Sequence, residues 1–538
     1  MFDSYTKLPC LQQTSLVEEI NTACEKYAKN TAFSYLGKDY TFAEINLNAN
    51  AFVAWLQQNT ALIPGDRIAI QLPNIIHYPI VAIAALRAGL VIVNTNPMYT
   101  ARELNHQFKD SGVKAIVVLE DIVDAVNGTL AENDIDTVIL VNATTMNKHP
   151  AKTVEQAKHV ISFGEVLAQG KLLTPEKINI DNKALSLLQY TGGTTGVSKG
   201  AMLSQHNLLS NIYQVMSRVD DVLTPSEEKL VLPLPLYHIF AFTISTMYFI
   251  RGCSSILIPN PSDLDQFVQL IKQEKFTAFA GINTLLIGLT NHQGFKSLDF
   301  TGLKFTITGG AATTIAAIKA WENATGCKVS EGWGLSESSP ALTLNPPSAP
   351  QSGCAGLPVI ETEISIVDNE GNVLPQGEAG EVWVRGPQIM LGYWQRPEAS
   401  AQTVTQDGWL KTGDIGYIQE DGFVKLVDRK KDMIIVSGFN VYPNEIEDVL
   451  ASHENVLEAA VIGLPSDKTG EFIRAYVTIK SADCTPELLK QFCRERLTAY
   501  KNPKEIIFIQ TLPKSPVGKI LRRELRQQAL AELKLATA

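Results

Sequence analysis

The densest concentration of chemically useful residues is one run, Tyr190-Thr191-Gly192-Gly193-Thr194-Thr195-Gly196-Val197-Ser198-Lys199-Gly200. Its four glycines let the backbone approach a ligand closely and adopt dihedrals closed to other residues. Successive bare N–H groups can form an anion nest. The hydroxyls of Thr191, Thr194, Thr195 and Ser198 add donors, and Lys199 adds a positive charge, so the run reads as a cradle for phosphate. It has neither the G-x-x-x-x-G-K-[ST] spacing of a P-loop nor the G-x-G-x-x-G of a dinucleotide turn. One rival fits part of it: Gly196-Val197-Ser198-Lys199-Gly200 matches G-x-S-x-G, the nucleophile elbow of a serine hydrolase. An elbow needs a strand up to the serine and a helix directly after it. Here glycines and threonines precede Ser198, and the next helix signal is Ser204, with Leu208, Ile212, Val215 and Met216 on one face. The phosphate cradle is preferred; the elbow and a plain structural turn stay as alternatives.

A cradle must be carried by elements, and the flanking sequence supplies them. An apolar strand at residues 185–189 runs into the loop. Upstream, a helix at 47–56, strands at 67–72 and 90–94 with a helix at 79–87 between them, and an apolar stretch at 113–118 alternate in type, which implies parallel α/β layers. The more polar residues 134–181 read as a surface insertion. After Pro358 the texture changes to short strands at 363–367, 380–385 and 423–427 separated by turn residues, a pattern for a small barrel or sheet. The charged turn Asp428-Arg429-Lys430-Lys431-Asp432 looks like a hinge. Beyond it, Pro443 opens a helix with Ile446, Val449 and Leu450 on one face. Strands follow at 456–462, 473–479 and 506–509, Thr485-Pro486 starts another helix, and 520–533 closes as an amphipathic helix.

Composition excludes several classes. A length of 538 residues is enough for about three or four domain-sized units. Lys+Arg 46 against Asp+Glu 56 gives 46 − 56 = −10, which argues against a nucleic-acid binder working through a broad basic surface. A 45% hydrophobic content with 19% charged residues rules out disorder of the bulk. Seven cysteines without C-x-x-C spacing point to reduced, mostly buried thiols in a cytoplasmic setting, with no cysteine-based metal site. The first residues lack a basic stretch followed by an apolar run, so no secretory signal is read there. The apolar stretch at 79–93 is broken by Arg87 and that at 239–250 stops at Arg251; each is shorter than the roughly 18–20 residues of a membrane span, so both read as core.

The loop resembles the signature of the adenylate-forming (AMP-binding) superfamily of acyl-CoA synthetases, luciferases and peptide-synthetase adenylation domains. The resemblance continues, in the family's order, through Leu234-Pro235-Leu236-Tyr237-His238-Ile239-Phe240, Thr308-Gly309-Gly310-Ala311, Gly332-Trp333-Gly334-Leu335-Ser336-Glu337, Thr412-Gly413-Asp414, the 428–432 turn, Ser437-Gly438-Phe439-Asn440 and Pro513-Lys514-Ser515-Pro516-Val517-Gly518-Lys519. Within the superfamily, the stretches LPLYHIF, MLGYWQRP, DRKKDMIIVSGFNVYPNEIE and VGKILRREL are most similar to bacterial long-chain-fatty-acid–CoA ligases. The resemblance implies an α/β fold. A large N-terminal domain (1–427) of two α/β subdomains plus a distorted β-barrel would carry a small mobile α+β lid (433–538) on a hinge at 428–432. It implies a ligase that takes a long-chain fatty acid, MgATP and coenzyme A. The fatty carboxylate attacks the α-phosphate to give acyl-AMP and pyrophosphate, and the CoA thiol then displaces AMP. A fatty-acyl-AMP ligase that loads a carrier protein is the alternative, disfavoured because no extra segment between Asp414 and Lys519 would hinder lid rotation.

The resemblance also assigns roles. Lys519 becomes the adenylation lysine, Glu337 the Mg²⁺ ligand with Thr194 as hydroxyl partner, and His238 a group near the reacting carboxylate. Thr191, Gly192, Gly193, Thr194, Thr195, Gly196, Ser198 and Lys199 hold the ATP phosphates. Gly309, Gly310 and Ala311 lie against adenine. Trp333 stacks on it within Glu331-Gly332-Trp333-Gly334, where the family usually has tyrosine, and Ser336 stands for the commoner threonine. Asp414 accepts the ribose hydroxyls, Arg429 contacts ribose or phosphate, and Lys431 is the pivot. Tyr237 gates an acyl tunnel lined by Phe240 and the following apolar residues. Gly438, Phe439 and Asn440 face the CoA pantetheine after the lid has turned. The resemblance leaves open a homodimer and a peripheral contact with the inner face of the cytoplasmic membrane, and Arg522, Arg523 and Arg526 on the last helix either meet anionic lipid or are solvated.

Overall fold

Strands that alternate with helices along a chain come to lie parallel, because each helix returns the chain to the same end of the sheet. The computed structural model, which describes residues 8, 14–144, 154, 157–191, 198–437, 439–466, 468–481, 483–515 and 519–537, contains two such sheets. One has seven strands in the order His159–Ser162, Thr137–Val141, Val113–Leu119, Arg67–Gln71, Val91–Asn94, Leu185–Thr191 and Lys199–Ser204. All its pairs are parallel except the last. The other has nine, in the order Leu357–Pro358, Ala341–Leu344, Val329–Gly334, Phe305–Thr308, Ala278–Gly281, Lys229–Leu232, Ser254–Leu257, Thr31–Tyr35 and Lys38–Thr41. It is parallel from Val329–Gly334 to Thr31–Tyr35 and antiparallel at both ends.

Alternate residues of a strand point to opposite faces, and the cores divide accordingly. Ile68 and Ile70 join a large cluster that draws on both sheets, while Ala69 joins a second cluster on the outer face of the seven-stranded sheet. The helices Leu16–Lys26, Phe42–Asn59, His77–Arg87, Gln205–Val219 and Ile239–Ile250 contribute to the large cluster and pack on one another. The outer face of the nine-stranded sheet is covered by Leu264–Ile271, Asn283–Asn291 and Ile315–Thr325. The apolar stretch at 239–250 is a helix with apolar residues nearly all round, as an interior helix must be. Among the described residues no helix is long and apolar enough to cross a membrane.

Two expectations need correction. Among the described residues no closed barrel forms. Glu363–Val367, Gly380–Arg385, Leu410–Ile418 and Val424–Arg429 make an antiparallel sheet in chain order, and its first and last strands do not pair. The last strand is bridged to Gly356 instead. A filled barrel takes about eight tilted strands, and four cannot close around side chains. Nor is the 134–181 stretch a mere insertion. Thr137–Val141 is a fully buried strand of the seven-stranded sheet, and Ser162 starts the helix Phe163–Gly170 through a reciprocal cap with Glu165. Its polar flanks obscured a short apolar run.

The C-terminal part is smaller. Phe439–Val441, Ile434–Val436, Gly470–Ile479 and Val456–Ser466 form a sheet in that order, and Glu505–Phe508 pairs with Gly470–Ile479. The helices Pro443–Ala451 and Pro486–Arg494 cover one face and Arg522–Thr537 the other. Six of the cysteines are free and buried; Cys10 lies outside the described residues.

Candidate active site

Parallel α/β sheets bind ligands at the carboxyl ends of their strands, where the strand order reverses. Both sheets have such a point. Arg67–Gln71 lies between Val91–Asn94 and Val113–Leu119, and Lys229–Leu232 lies between Ser254–Leu257 and Ala278–Gly281. The carboxyl ends of Val91–Asn94, Leu185–Thr191, Phe305–Thr308 and Val329–Gly334 open into one cleft of about 2420 Å³, which also takes in residues of the four-stranded sheet and of the C-terminal part.

At one end of the cleft, Asp414 is 4% exposed and receives two donors. The Trp333 Nε1–H donates to its Oδ2 at 2.8 Å, and Arg429 Nε lies 2.6 Å from its Oδ1. Burial pushes the Asp414 carboxyl up; Arg429, then the indole N–H, Lys519 and Lys431 draw it back toward the ionised form. Gly309, Gly310, Ala311, Gly332, Gly334 and Ser336 line the same region. Gly310 has φ +79°, where a side chain is strained, and a Cβ on Gly334 would sit 1.8 Å from the Pro340 carbonyl. Glu331 lines the cleft too, but one carboxylate oxygen accepts from Gly353 N–H at 2.8 Å, and burial pushes this carboxyl up to about 7.

Lys519 reaches this cleft from the C-terminal part. Its backbone N–H donates to Ser515 Oγ at 3.1 Å, which anchors Lys519. Burial lowers the lysine, as do Arg429 and Lys431; Asp414 and Glu337 act the other way. Asp432 faces Lys431 as well, so Lys519, Arg429 and Lys431 meet three carboxylates here and bring cations and acids together in one part of the cleft. His238 stands beside them. Its Nδ1 accepts from Phe240 N–H at 3.3 Å, capping the helix Ile239–Ile250, which leaves the ring proton on Nε2. Burial, then the charge of Lys519, pushes His238 down to about 3. At neutral pH it is an uncharged donor.

The cleft continues as an apolar limb. Phe240, Thr243, Ile244 and Met247 line it at i, i+3, i+4 and i+7 of one helix, and Tyr237, just before that helix, and Val215 of Gln205–Val219 belong to the same lining. The stripe runs over eight residues, seven helical steps or about 10 Å along the axis.

Thr191 and Ser198 line the cleft, and Ser198 Oγ donates to the Thr191 carbonyl at 3.0 Å. The strand Lys199–Ser204 follows Ser198 directly and returns antiparallel along Leu185–Thr191. A nucleophile elbow needs a helix there, so that alternative falls. Gly192, Gly193, Thr194, Thr195 and Gly196 lie outside the described residues, as does Gly438. Phe439 and Asn440 are not in the cleft: Phe439 is 55% exposed and stacks on Tyr500. Arg522 is bound to Glu447 and Arg526 to Glu471, so neither is simply a solvated basic residue. Other cleft residues escaped the sequence reading. Asn94 and Gln189, each at or near the end of an apolar strand, link Tyr78 to the Tyr237 carbonyl through hydrogen bonds of 2.6, 3.1 and 3.2 Å. Tyr393 bonds Glu337 at 2.7 Å. A lone polar residue closing an apolar strand was the only local signal for the first two.

The family model for the AMP-binding enzyme matches residues 20–394, and that for the AMP-binding enzyme C-terminal domain matches residues 445–519. A long-chain-fatty-acid–CoA ligase of Yersinia pestis is 44% identical over 540 residues, covering 97% of this chain and 95% of its own. Two solved structures are similar over nearly their whole length. ATP-bound MatB from Rhodopseudomonas palustris has a TM-score of 0.84 at 28% identity, covering 96% of this chain and 99% of that one. The anthranilate CoA ligase AuaEII in complex with anthranoyl-AMP has a TM-score of 0.86 at 25% identity, covering 98% and 99%.

Proposed function

The chain belongs to the AMP-binding enzyme family, and from that premise we propose that it is a long-chain-fatty-acid–CoA ligase whose two half-reactions share the cleft described above. A fatty carboxylate attacks the α-phosphorus of ATP and expels pyrophosphate. The thiolate of coenzyme A then attacks the acyl carbon of the mixed anhydride and expels AMP. The observation that carries the reading is that Lys519 lines one cleft together with Asp414, Trp333 and the Phe240, Thr243, Ile244 and Met247 stripe, with His238 beside it.

The roles follow from chemistry. Lys519 places positive charge where the attacking carboxylate and the α-phosphate would meet, and preorganised charge of this kind is usually the largest catalytic term. His238, neutral and carrying its proton on Nε2, offers a hydrogen bond to the same carboxylate without competing for a proton. Asp414 accepts from the ribose hydroxyls, Trp333 offers its face to adenine, and Arg429 serves ribose or phosphate. Thr191, Ser198 and Lys199 belong to the phosphate cradle, and Tyr237 and Phe240 flank the entrance of the acyl limb. The donor set also fits magnesium. No group of three His, Cys, Asp or Glu among the described residues could hold a metal alone, and Mg²⁺ is commonly held by one or two carboxylates plus substrate phosphates. Glu337 is that carboxylate; the bound ion would neutralise charge on the phosphates as pyrophosphate departs. Phe439 and Asn440, outside the cleft in this arrangement, would meet the pantetheine after rotation of the lid about Lys431.

The buried free thiols support a cytoplasmic setting. Because a long-chain acid partitions into bilayers, the inner face of the cytoplasmic membrane is the source from which we propose the enzyme draws its substrate.

The test is pyrophosphate release from MgATP across a fatty-acid series from acetate to stearate, with and without CoA. Release that requires a long-chain acid, with acyl-CoA and AMP as products, is expected. Release with long acids but no thioester would overturn CoA as acceptor, and a preference for short or aromatic acids would overturn the substrate.

A further inference from the structure

Glu337 does not stand alone on its 3₁₀ turn. The segment at 388–394 holds it twice: Met390 N–H donates to the Glu337 carbonyl at 2.8 Å, and the Tyr393 hydroxyl donates to carboxylate Oε1 at 2.7 Å. The same segment is stitched to the strand that leaves the phosphate cradle. Leu391 N–H donates to the Met202 carbonyl at 2.9 Å, Met202 N–H to Gly392 at 2.9 Å, and Trp394 N–H to Gly200 at 2.8 Å. Lys199 Nζ lies 4.5 Å from the centre of the Tyr393 ring. The Tyr393 N–H donates to Ser400 Oγ at 2.8 Å, which fixes the residue from its own backbone. Tyr393 is 7% exposed. One side chain thus joins the Glu337 carboxylate to the first residue of the strand beyond the cradle.

A carboxylate offers two oxygens, and the number it presents to a cation selects the cation. Ca²⁺ accepts bidentate carboxylates in loose shells of six to eight oxygens, whereas Mg²⁺ requires a tight octahedron and keeps waters. With Oε1 already accepting from the phenol, a cation bound by both oxygens would have to share Oε1 with that hydroxyl, so Oε2 is the favoured ligand atom. We propose that Tyr393 is a positioning residue for the metal: it holds Glu337 as a one-oxygen ligand, in register with the strand that begins at Lys199, and so sets the preference of this site for magnesium over calcium. The proposal rests on Glu337 being the metal ligand.

The experiment compares the full-length enzyme with Tyr393→Phe and Glu337→Gln. Phenylalanine keeps the ring beneath Lys199 and removes only the hydroxyl. Binding of Mn²⁺, followed by its spin-resonance signal with ATP present and fatty acid absent, reads the site without turnover, and competition by Mg²⁺ and by Ca²⁺ gives the selectivity. Tyr393→Phe is expected to weaken Mn²⁺ and Mg²⁺ roughly tenfold or more, as loss of a ligand's hydrogen-bond partner does, and to narrow the Mg²⁺/Ca²⁺ ratio. A Tyr393→Phe enzyme with a lower Tm or kcat but unchanged cation affinity and selectivity would overturn the proposal, because the hydroxyl would then be structural only. If Glu337→Gln weakens the cation and Tyr393→Phe does not, this proposal fails and the assignment of Glu337 survives. If Glu337→Gln leaves the cation unaffected, the assignment fails and the proposal with it.

Discussion

Asp414 accepts from two side chains that are far from it in sequence, Trp333 at 2.8 Å and Arg429 at 2.6 Å, while almost wholly buried. Each donor offsets part of the cost of holding a carboxylate in the interior. The indole therefore has a second use beside its aromatic face: it fixes the acid that would receive the ribose. Trp333→Phe keeps an aromatic face and removes the N–H. We expect AMP affinity to fall about tenfold, near 1.4 kcal/mol, and the preference for AMP over 2′-deoxy-AMP to shrink, as measured by calorimetry. An equal loss for both nucleotides would locate the effect in stacking instead. At this scale the sequence revealed identities and concealed partnerships. Trp333, Glu337 and Asp414 stand in recognisable motifs, but the Trp333–Asp414 and Tyr393–Glu337 bonds join residues far apart in the chain, which only the fold brings together. Asn94 and Gln189 carried no motif, because single amides are common in any chain and these two act through a hydrogen-bonded chain from Tyr78 to the Tyr237 carbonyl.

Elements convert these residues into a binding path. The helix Ile239–Ile250 is apolar nearly all round, so hydropathy alone marks it as buried without saying what it faces. It meets the cleft through its first residue, Ile239, and the Phe240, Thr243, Ile244 and Met247 stripe. A methylene moved from water to such a surface contributes about 0.8 kcal/mol, roughly a factor of four per carbon. Filling the stripe with Ile244→Phe should therefore lower kcat/KM for palmitate far more than for octanoate. A uniform decline across chain lengths would remove Ile244 from the acyl path, and retained octanoate activity serves as the check on folding. The elements themselves were legible where the local pattern was strong: the capped helix after Ser204 and the helix begun by Thr485-Pro486 stand where expected. Legibility failed where partners decide. Thr137–Val141 was hidden by polar neighbours, and whether the strands after residue 358 close into a barrel depends on pairing between edges that no local sequence encodes.

The whole molecule must do something its individual elements do not, since Lys519 and the strand that begins Phe439-Asn440 belong to one small domain and, of the two, only Lys519 faces the cleft. The proposed pivot at Lys431 divides the contacts into two sets. Arg522 binds Glu447 and Asn444 and lies 3.6 Å from Asp432, all beyond the pivot, so this group travels as a unit. Asp428, before the pivot, accepts from Asn444 N–H at 2.8 Å, at the start of the helix Pro443–Ala451. Rotation must break that bond and withdraw Lys519 from Asp414 and Glu337, while the Arg522 group stays intact. A proline at the pivot fixes φ and removes an N–H, which should hinder the turn without dismantling either part. Lys431→Pro is expected to retain acyl-AMP formation in a single turnover and to lose thioesterification of supplied acyl-AMP by at least about tenfold. Lys431→Ala, which removes the same charge and leaves the backbone free to turn, should keep both half-reactions within a few-fold of each other. Equal losses of the two half-reactions in the proline variant would mean that one arrangement of the lid serves both steps, and the pivot would have to be abandoned.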